Sequence, residues 1–516
     1  MATTDRNSKV VAEFGDFQTP HSLALNAVKV LHRLGLRPRC IVEPTCGTGA
    51  FLVASAAVFQ EAERLIGVDI NPSHLKEART KTVSLVDAER ICLREGDFFK
   101  LDWGQLLSGC PRPLLILGNP PWVTISELGA LKGVNLPEKS NFHGRTGIEA
   151  ITGKSNFDIS EWMLLRYLDW LRCHSGAVAV LCKTSVARKI LIQAWKHAYP
   201  VKSATIYKID AQRHFSASVD ACFFVIETEP GATATCCDVF ENFEDARPSH
   251  TIGLYGGILV SDFAAFSRRQ ALLGTEDRYI WRSGIKHDCS RVMELTPASD
   301  GYRNGFDEVV CIEDAYLYPM FKSSDIAKGR RSRRNFMLVT QTYVGEDTSR
   351  IAQVAPRTWR YLEKHATILN ERSSSIYRDK PPFSIFGVGA YTFAPWKVAV
   401  SGFYKRLHFE CFGPVDGRPV VFDDTIYFLP CRSEAEARFI EVLLNSPPAL
   451  EFYESMMFMG DKRPVTGELL RRLSFKQLAE LLGKAPEYDL VTQGIEEWPH
   501  RYGGRIRQGT QRRLPL

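Results

Sequence analysis

The sequence predicts an α/β protein, with an N-terminal doubly wound, mostly parallel sheet of the Rossmann-like kind and a C-terminal α+β domain. Up to about residue 230, short apolar runs typical of buried strands alternate with amphipathic runs typical of helices. This alternation favours a parallel sheet with helices on both faces. After residue 229, glycine and proline become more frequent and the strand-like runs become short and irregular. We therefore predict a boundary near residues 235–245, which gives domains 1–240 and 241–516.

The elements of the N-terminal half follow from these runs. The predicted strands are 39–43, 65–69, 91–95, 114–118, 177–182 and 204–209, with 220–227 as a further strand at the edge. The predicted helices are 50–62, one that starts at Pro72, 158–172 and 185–197. A proline is well tolerated in the first turn of a helix. In the C-terminal half we predict a helix at 433–445, and we expect the aromatic-rich runs 383–400 and 420–429 to form its core.

Composition excludes several classes of protein. The 516 residues suggest about two to four domains, and a hydrophobic fraction of 45% with 24% charged residues is that of an ordinary globular protein. The 13 cysteines form no C-x-x-C pair, so neither a disulfide framework nor a structural zinc site is expected, and we predict no metal. The first residues contain no apolar core, and no apolar run approaches 18 residues. We expect a cytoplasmic protein without a membrane segment.

A glycine-rich turn follows the first predicted strand, in the run EPTCGTG at 43–49. Its glycines allow a tight turn and a close approach of a ligand, at the crevice where doubly wound sheets bind nucleotide-like cofactors. The dinucleotide pattern G-x-G-x-x-G is not met, because Leu52 takes the third glycine position. Glu43 would repel a pyrophosphate but suits a cationic ligand such as the amino group of a methionine moiety. This favours S-adenosylmethionine over NAD.

Acidic residues also follow the next two predicted strands. Asp69 ends the second strand, where a carboxylate can accept hydrogen bonds from ribose hydroxyls. The alternative is that Asp69 only caps the helix that starts at Pro72. After the third strand, Asp97 could accept from an adenine amino group while Phe98 covers the base. Taken alone, this last pair is more often a turn and a core aromatic.

The most specific motif is Asn119-Pro120-Pro121-Trp122, directly after the fourth predicted strand. The prolines fix the backbone and carry no amide donors. The Asn119 side-chain carbonyl and the Pro120 backbone carbonyl can therefore both accept from one exocyclic amino group and direct its lone pair at an electrophile. The Trp122 ring offers a π-face to a stacked base and to developing positive charge. The alternative is a rigid loop with a core tryptophan.

With these motifs the chain resembles the S-adenosylmethionine-dependent DNA amino-methyltransferases of restriction–modification systems. The match is to the gamma group, whose cofactor motifs precede the target-recognition domain. The run FGDFQTP at 14–20 is similar to that group's N-terminal motif, and His214-Phe215-Ser216 is similar to the segment whose aromatic packs against the extruded base; an ordinary core residue is the alternative for Phe215. The resemblance implies cofactor contacts from Thr19, Pro20, Glu43, Pro44, Cys46, Gly47, Gly49, Asp69, Asp97 and Phe98, and catalysis by Asn119, Pro120, Pro121, Trp122 and Phe215.

The resemblance further implies methylation of adenine N6 in double-stranded DNA by a monomeric, site-specific enzyme that flips the base out of the helix. Trp122 departs from the usual Tyr or Phe and is commoner in cytosine-N4 enzymes, so that target stays an alternative. RNA, a protein glutamine amide, and a non-catalytic binding module are further alternatives. Any cognate restriction endonuclease is expected to be a separate chain. Segment 123–155 is expected to be a loop that orders on DNA.

Basic charge is concentrated in the C-terminal half. The whole chain carries 65 Lys and Arg against 59 Asp and Glu, whereas residues 321–380 alone carry 13 against 6. Taken alone, a basic run is most often a solvated surface. After a DNA-modifying motif set, contact with phosphates is the better interpretation. The predicted DNA-binding cluster consists of Lys328, Arg330, Arg331, Arg333 and Arg334.

Overall fold

A computed structural model describes residues 17–85, 87–123, 158–275, 278–329 and 335–493. The chain forms two compact units, Met1–Ala264 and Ala265–Leu516. The division comes later than the predicted boundary near residue 240, because the run after residue 235 adds three strands to the first sheet. Among the described residues, no helix is both long and apolar enough to cross a membrane.

The first unit is built on one ten-stranded sheet. Its strands are β1 (Cys40–Glu43), β2 (Arg64–Asp69), β3 (Ile91–Glu95), β4 (Leu114–Gly118), β5 (Gly176–Lys183), β6 (Val201–Ile209), β7 (Ala221–Thr228), β8 (Cys236–Phe240), β9 (His250–Tyr255) and β10 (Ile258–Val260). The helices are α1 (His21–Arg33), α2 (Ala50–Val58), α3 (Pro72–Thr82), α4 (Trp103–Ser108), α5 (Ile159–Trp170), α6 (Thr184–Lys196) and α7 (Ala211–Phe215), and α8 (Phe263–Arg269) spans the division between the units. The seven predicted strands are thus confirmed to within three residues at each end.

The strand order in this sheet is β10-β9-β8-β6-β7-β5-β4-β1-β2-β3. Strands β1 to β5 are parallel to their neighbours in this set, which confirms a doubly wound arrangement for that part. The prediction that 220–227 is an edge strand was wrong, because β7 lies between β5 and β6 and is antiparallel to both. Seven of its eight residues are buried, as is typical of a strand inside a sheet that is covered on both faces.

The core of the first unit explains why its helices lie against the sheet. Helix α1 buries one face, which includes Leu23, Ala27 and Leu31; this spacing of four is the repeat of an amphipathic helix. These residues belong to one apolar cluster with the strand residues Ile41 and Leu115. Helix α1 therefore packs on the sheet through this cluster.

The second unit contains two smaller antiparallel-rich sheets. One has the order β11-β20-β17-β18 and the other β14-β13-β12-β16-β15-β19. The strands are β11 (Arg282–Ser283), β12 (Glu294–Ala298), β13 (Gly301–Arg303), β14 (Val309–Val310), β15 (Leu317–Phe321), β16 (Asn335–Leu338), β17 (Trp396–Ser401), β18 (Glu410–Phe412), β19 (Val421–Phe422) and β20 (Ile426–Cys431). The run 383–400 contributes most of β17, and the run 420–429 contributes β19 and part of β20.

Helices surround these sheets, mostly in the last third of the chain. They are α9 (Ser290–Met293), α10 (Ser323–Ala327), α11 (Ile351–Val354), α12 (Pro356–Lys364), α13 (Ala366–Asn370), α14 (Glu434–Leu444), α15 (Pro447–Glu454), α16 (Gly467–Leu470), α17 (Phe475–Leu481) and α18 (Ala485–Thr492). The predicted helix at 433–445 is confirmed as α14, with Ser433 as the N-cap whose side chain accepts from the Glu436 amide. The unit therefore has its own α+β core.

Candidate active site

A cavity of about 530 Å³ lies at the carboxyl ends of β1 to β4. Glu43 ends β1, Asp69 ends β2, Gly96 and Asp97 follow β3, and Asn119 directly follows β4; all five line the cavity. The predicted site residues that line the cavity are Thr19, Glu43, Pro44, Cys46, Gly47, Asp69, Asp97, Phe98, Asn119 and Pro121. The first unit therefore gathers ten of the fifteen predicted cofactor and catalytic residues around one space.

The glycine-rich turn adopts a backbone that its sequence requires. Gly47 and Gly49 have φ angles of +50° and +80°, in the left-handed region that favours glycine. A Cβ atom on Gly47 would lie 2.5 Å from Oε1 of Gln18. The same oxygen accepts a hydrogen bond from the Thr48 amide at 3.0 Å. Gln18 thus rests directly on the turn, and a side chain at position 47 would displace it.

The Asp69 carboxylate is held by two backbone amides. Its Oδ2 accepts from the Gly47 amide and its Oδ1 from the Asn71 amide, each at 2.8 Å. The helix cap that was the alternative role for Asp69 belongs to Asn71, whose side chain accepts from the Ser73 amide at 3.0 Å. Asp69 is therefore not the cap of that helix, although Nδ1 of His74 on the helix lies 3.5 Å from its Oδ1. Asp69 lies on the cavity wall.

Glu43 is a buried carboxyl group with an unused oxygen. Its side chain is 3% exposed, and no partner for Oε2 is found among the described residues. Burial, and to a smaller extent the nearby Asp69 carboxylate, raises the pKa of Glu43 well above its ordinary value. Gly118 makes room for it, because a Cβ at that position would lie 3.2 Å from Cγ of Glu43. A cation in the cavity would favour the carboxylate form and so oppose this rise in pKa.

Asp97 and Phe98 form another part of the wall. The Asp97 Oδ1 atom accepts from the Phe99 amide at 3.0 Å, and Oδ2 lies 3.1 Å from the Lys100 ammonium nitrogen. Phe98 is 7% exposed and packs against the rings of Trp103 and Tyr167, among others. It therefore presents only a small part of its ring to the cavity.

Asn119 has one half of its amide anchored and the other half unused. Its Nδ2 donates to the Phe17 carbonyl oxygen at 2.9 Å. Its Oδ1 is buried, and no partner for it is found among the described residues. Because the anchored nitrogen fixes the amide plane, the Asn119 oxygen stays available as an acceptor. Asn119 and Pro121 both belong to the cavity wall.

Trp122 and Phe215 pack behind this wall and do not line the cavity. Their exposed fractions are 5% and 8%, and their ring centroids are 5.2 Å apart. Phe17 contacts both rings, at 5.7 and 5.9 Å. The Trp122 indole N–H donates to the Leu181 carbonyl at 3.3 Å. Of the predicted residues, Pro20, Gly49 and Pro120 also do not line the cavity.

Some predicted residues lie outside the described part of the chain. These are Phe14, Gly15 and Asp16 of the N-terminal motif, nearly all of segment 123–155, and Arg330, Arg331, Arg333 and Arg334 of the basic cluster. Lys328 is described and is exposed just after α10.

Sequence reasoning did not single out several residues of the wall. They are Phe17, Gln18, Thr45, Ala50, Ile70, Asn71, His74, Gly96, Phe99, Val123, Ile159 and Met163. Phe17 and Gln18 lie inside the N-terminal motif at 14–20. Ile159 and Met163 are spaced by four at the start of a predicted helix, which indicates a shared face but not what that face contacts.

Comparison with known proteins identifies the family. No family model matches the chain. The chain is 43% identical over 475 residues to the Type II methyltransferase M.NspV of Nostoc sp., with 92% of this chain and 98% of that protein covered. This chain belongs to the Type II methyltransferases. At this identity and coverage, the relationship extends through both units.

A solved structure resembles the methyltransferase in fold. It is the Type IIL restriction–modification enzyme MmeI in complex with DNA, with a TM-score of 0.54 and 12% sequence identity. The alignment covers 87% of the methyltransferase and 64% of the MmeI chain, so the methyltransferase spans somewhat less than two thirds of that protein. Within the described residues of the methyltransferase, no group of three or more His, Cys, Asp or Glu side chains could hold a metal ion.

Proposed function

We propose that this chain transfers a methyl group from S-adenosylmethionine to the N6 amino group of adenine in double-stranded DNA. In this proposal it is the site-specific modification enzyme of a restriction–modification system. Its membership of the Type II methyltransferases supports the reaction class. The similar MmeI structure is of an enzyme in complex with DNA, which supports DNA as the substrate. The choice of an amino group as the target rests on the cavity itself.

One observation carries the choice of target, namely the unused acceptor of Asn119. Leaving a buried acceptor without a partner costs free energy, about 1–3 kcal/mol. A protein tolerates such a group where a ligand satisfies it. An exocyclic amino group donates two hydrogen bonds, and in this proposal one goes to Asn119 Oδ1 and the other to the Pro120 carbonyl. The same contacts aim the nitrogen lone pair away from these acceptors and into the cavity.

The residues of the turn fit the cofactor. The unpaired Glu43 oxygen suits a cationic methionine amino group, whose positive charge would lower the pKa that burial raises and so favour the carboxylate. Asp69 is already oriented by two amides, and in this proposal its carboxylate accepts from the ribose hydroxyls. Asp97 and Phe98 would contact the adenine. When bound, S-adenosylmethionine supplies an electrophilic methyl group on a sulfonium.

The burial of Trp122 and Phe215 limits how they could contact the target base. The target base must leave the helix, because its amino group is inaccessible while it is stacked and paired. Trp122 and Phe215 are 5% and 8% exposed and contact each other. In this proposal they form the apolar support behind Asn119, and a stacked base would require their rings to turn. Because residue 122 is a tryptophan and not a tyrosine or phenylalanine, cytosine N4 stays the second candidate target.

DNA contact is assigned mainly to the second unit. Its basic cluster of Lys328, Arg330, Arg331, Arg333 and Arg334 is proposed to bind phosphates without reading sequence. The unit is proposed to be the target-recognition domain, the enzyme a monomer in the cytoplasm, and any cognate endonuclease a separate chain.

The test is transfer of a radiolabelled methyl group to three substrates side by side: duplex DNA, RNA of the same base sequence, and total protein. We expect label in DNA only. Digestion to nucleosides and mass spectrometry then distinguish N6-methyladenine from N4-methylcytosine. Label in RNA or protein alone would refute the proposal, and N4-methylcytosine would replace the target by the second candidate. Methylome sequencing of a host that expresses the chain then gives the recognition sequence.

A further inference from the structure

The segment that carries Asn119 ends where the chain leaves the sheet. Residues 124–157 lie between Val123 and Asp158. The chain before this segment is hydrogen-bonded to the chain after it. The Ile159 amide donates to the Val123 carbonyl at 2.9 Å. The Asp158 side chain caps α5 by accepting from the Ser160 amide at 3.1 Å. The start of α5 is therefore tied directly to the end of the Asn119–Trp122 segment.

Lys183 connects this junction to the sheet, in addition to the bond that the Trp122 indole N–H donates to the Leu181 carbonyl of β5. Lys183 is the last residue of β5, and its ammonium nitrogen lies 2.9 Å from the Trp122 carbonyl oxygen and 2.7 Å from Asp158 Oδ2. The side chains of Lys183 and Asp158 are 23% and 6% exposed. Hydrogen bonds from an ammonium group are stronger than those between neutral groups, and salt screens a mostly buried pair less than an exposed one.

The two prolines of the Asn119–Trp122 segment reduce the number of backbone bonds that can hold it in place. Pro120 and Pro121 have no amide N–H, so they cannot bind neighbouring strands as donors. The front of the segment is held by the Asn119 side chain on the Phe17 carbonyl. At its back, Lys183 binds the backbone carbonyl of Trp122. Movement of that carbonyl would be transmitted through two stiff prolines to Asn119.

We propose that Lys183 is a positioning residue for methyl transfer. It holds the Trp122 carbonyl against Asp158 and thereby keeps Asn119 Oδ1 where the target amine must be. This inference rests on the proposed function, because it assigns the acceptor role to Asn119. Lys183 is not a residue of the cavity wall, so its effect should appear in turnover and not in cofactor affinity.

The variant Lys183→Met keeps an unbranched side chain that is one atom shorter, and it removes the charge and the donors. Misplacement of reacting groups by about 1 Å can lower rates by about 100-fold, so we expect kcat to fall by about 10- to 100-fold. The cofactor dissociation constant should stay at the wild-type value. Lys183→Arg, which restores a cationic donor, should recover most of the turnover.

Lys189→Met is the matched control. Lys189 lies on α6, and its nitrogen lies 2.8 Å from Glu161 Oε2 on α5, so this pair also joins a lysine to the first turn of α5. Within the described residues its hydrogen bond goes to Glu161 on the helix, whereas the Lys183 ammonium group also binds the carbonyl of Trp122. We expect wild-type kcat for this variant. Equal kcat in the two methionine variants would overturn the proposal.

Hydrogen exchange provides a second measurement that needs neither DNA nor cofactor. We expect faster exchange of a peptide covering 117–123 in Lys183→Met than in Lys189→Met. Should Lys183→Met fail to fold, Asp158→Asn replaces it, because asparagine keeps the helix cap and weakens the hold on Lys183. Unchanged exchange would overturn the anchoring role. A wild-type protein that transfers no methyl group to DNA would refute the proposed function, and exchange would still decide whether Lys183 anchors the segment.

Discussion

Replacing Asn119 by alanine separates turnover from stability. The substitution removes the Nδ2 bond to the Phe17 carbonyl, and a neutral hydrogen bond contributes about 0.5–1.5 kcal/mol to stability. It also removes a buried acceptor for which no partner is found in the described residues, and relief of such a group returns about 1–3 kcal/mol. These two effects oppose each other, so we expect no large loss in the free energy of unfolding.

The effect on turnover is expected to be much larger. A preorganised polar group that acts in the transition state is worth about 100- to 1,000-fold in kcat, or about 2.7–4 kcal/mol. We therefore expect Asn119→Ala to lower kcat by that factor while cofactor binding stays largely intact. Single-turnover transfer of labelled methyl groups to duplex DNA measures the first quantity, and calorimetry measures the second.

Asn242→Ala is the control for this experiment. Asn242 is exposed and is not a residue of the cavity wall, and its Oδ1 accepts a local hydrogen bond from the Glu244 amide at 2.9 Å. Urea unfolding of both variants shows whether a fall in kcat reflects loss of folded protein. A wild-type kcat for Asn119→Ala would refute the assignment of its oxygen to the target amine.

Three further outcomes are expected. Asp69→Ala removes the acceptor that Gly47 and Asn71 share and should weaken cofactor binding by about 1–3 kcal/mol; an unchanged affinity by calorimetry would mean that Asp69 only shapes the turn. Burial raises the pKa of Glu43 in the folded protein, so the cofactor-free protein should lose stability as pH rises above about 4.3. In Glu43→Gln, the free energy of unfolding measured in urea should fall less with rising pH than in the wild type. The same pH dependence in both proteins would contradict this prediction. Converting the arginines of the basic cluster to serine should weaken binding to cognate and unrelated DNA alike. The slope of log binding constant against log salt concentration should become smaller by about 0.9 for each phosphate that is no longer neutralised. An unchanged slope would mean that the cluster is a solvated surface. The positions changed are Arg330, Arg331, Arg333 and Arg334.

The parts of the fold that local sequence determines were predictable. Buried strands of the first sheet appear as apolar runs, and their ends fall at Glu43, Asp69 and Gly118, close to the predicted bounds. The placement of β7 was not predictable, because its apolar run is equally compatible with an edge or an interior position. Pairing with β5 and β6 is a tertiary choice made by strands far apart in sequence.

The candidate site was predictable to the extent that its residues follow strand ends. Asp69 and Asn119 were identified in this way, and both line the cavity. The contacts of Gln18 on the glycine turn and of Lys183 on Trp122 were not predictable, because each joins segments separated by about 30 or 60 residues. The burial of Trp122 likewise depends on packing with Phe215, which no local pattern encodes.

The strand order of the first sheet also has a consequence for biosynthesis. Protein chains emerge from the ribosome N-terminus first, and domains generally fold as units in that order. Once β1 has been made, strands β2 to β5 can each join a strand that has already been made. Strand β6 cannot, because its two neighbours, β7 and β8, both come later in the chain. The residues that line the cavity all lie between Phe17 and Met163, so every one of them has been translated before either neighbour of β6 exists.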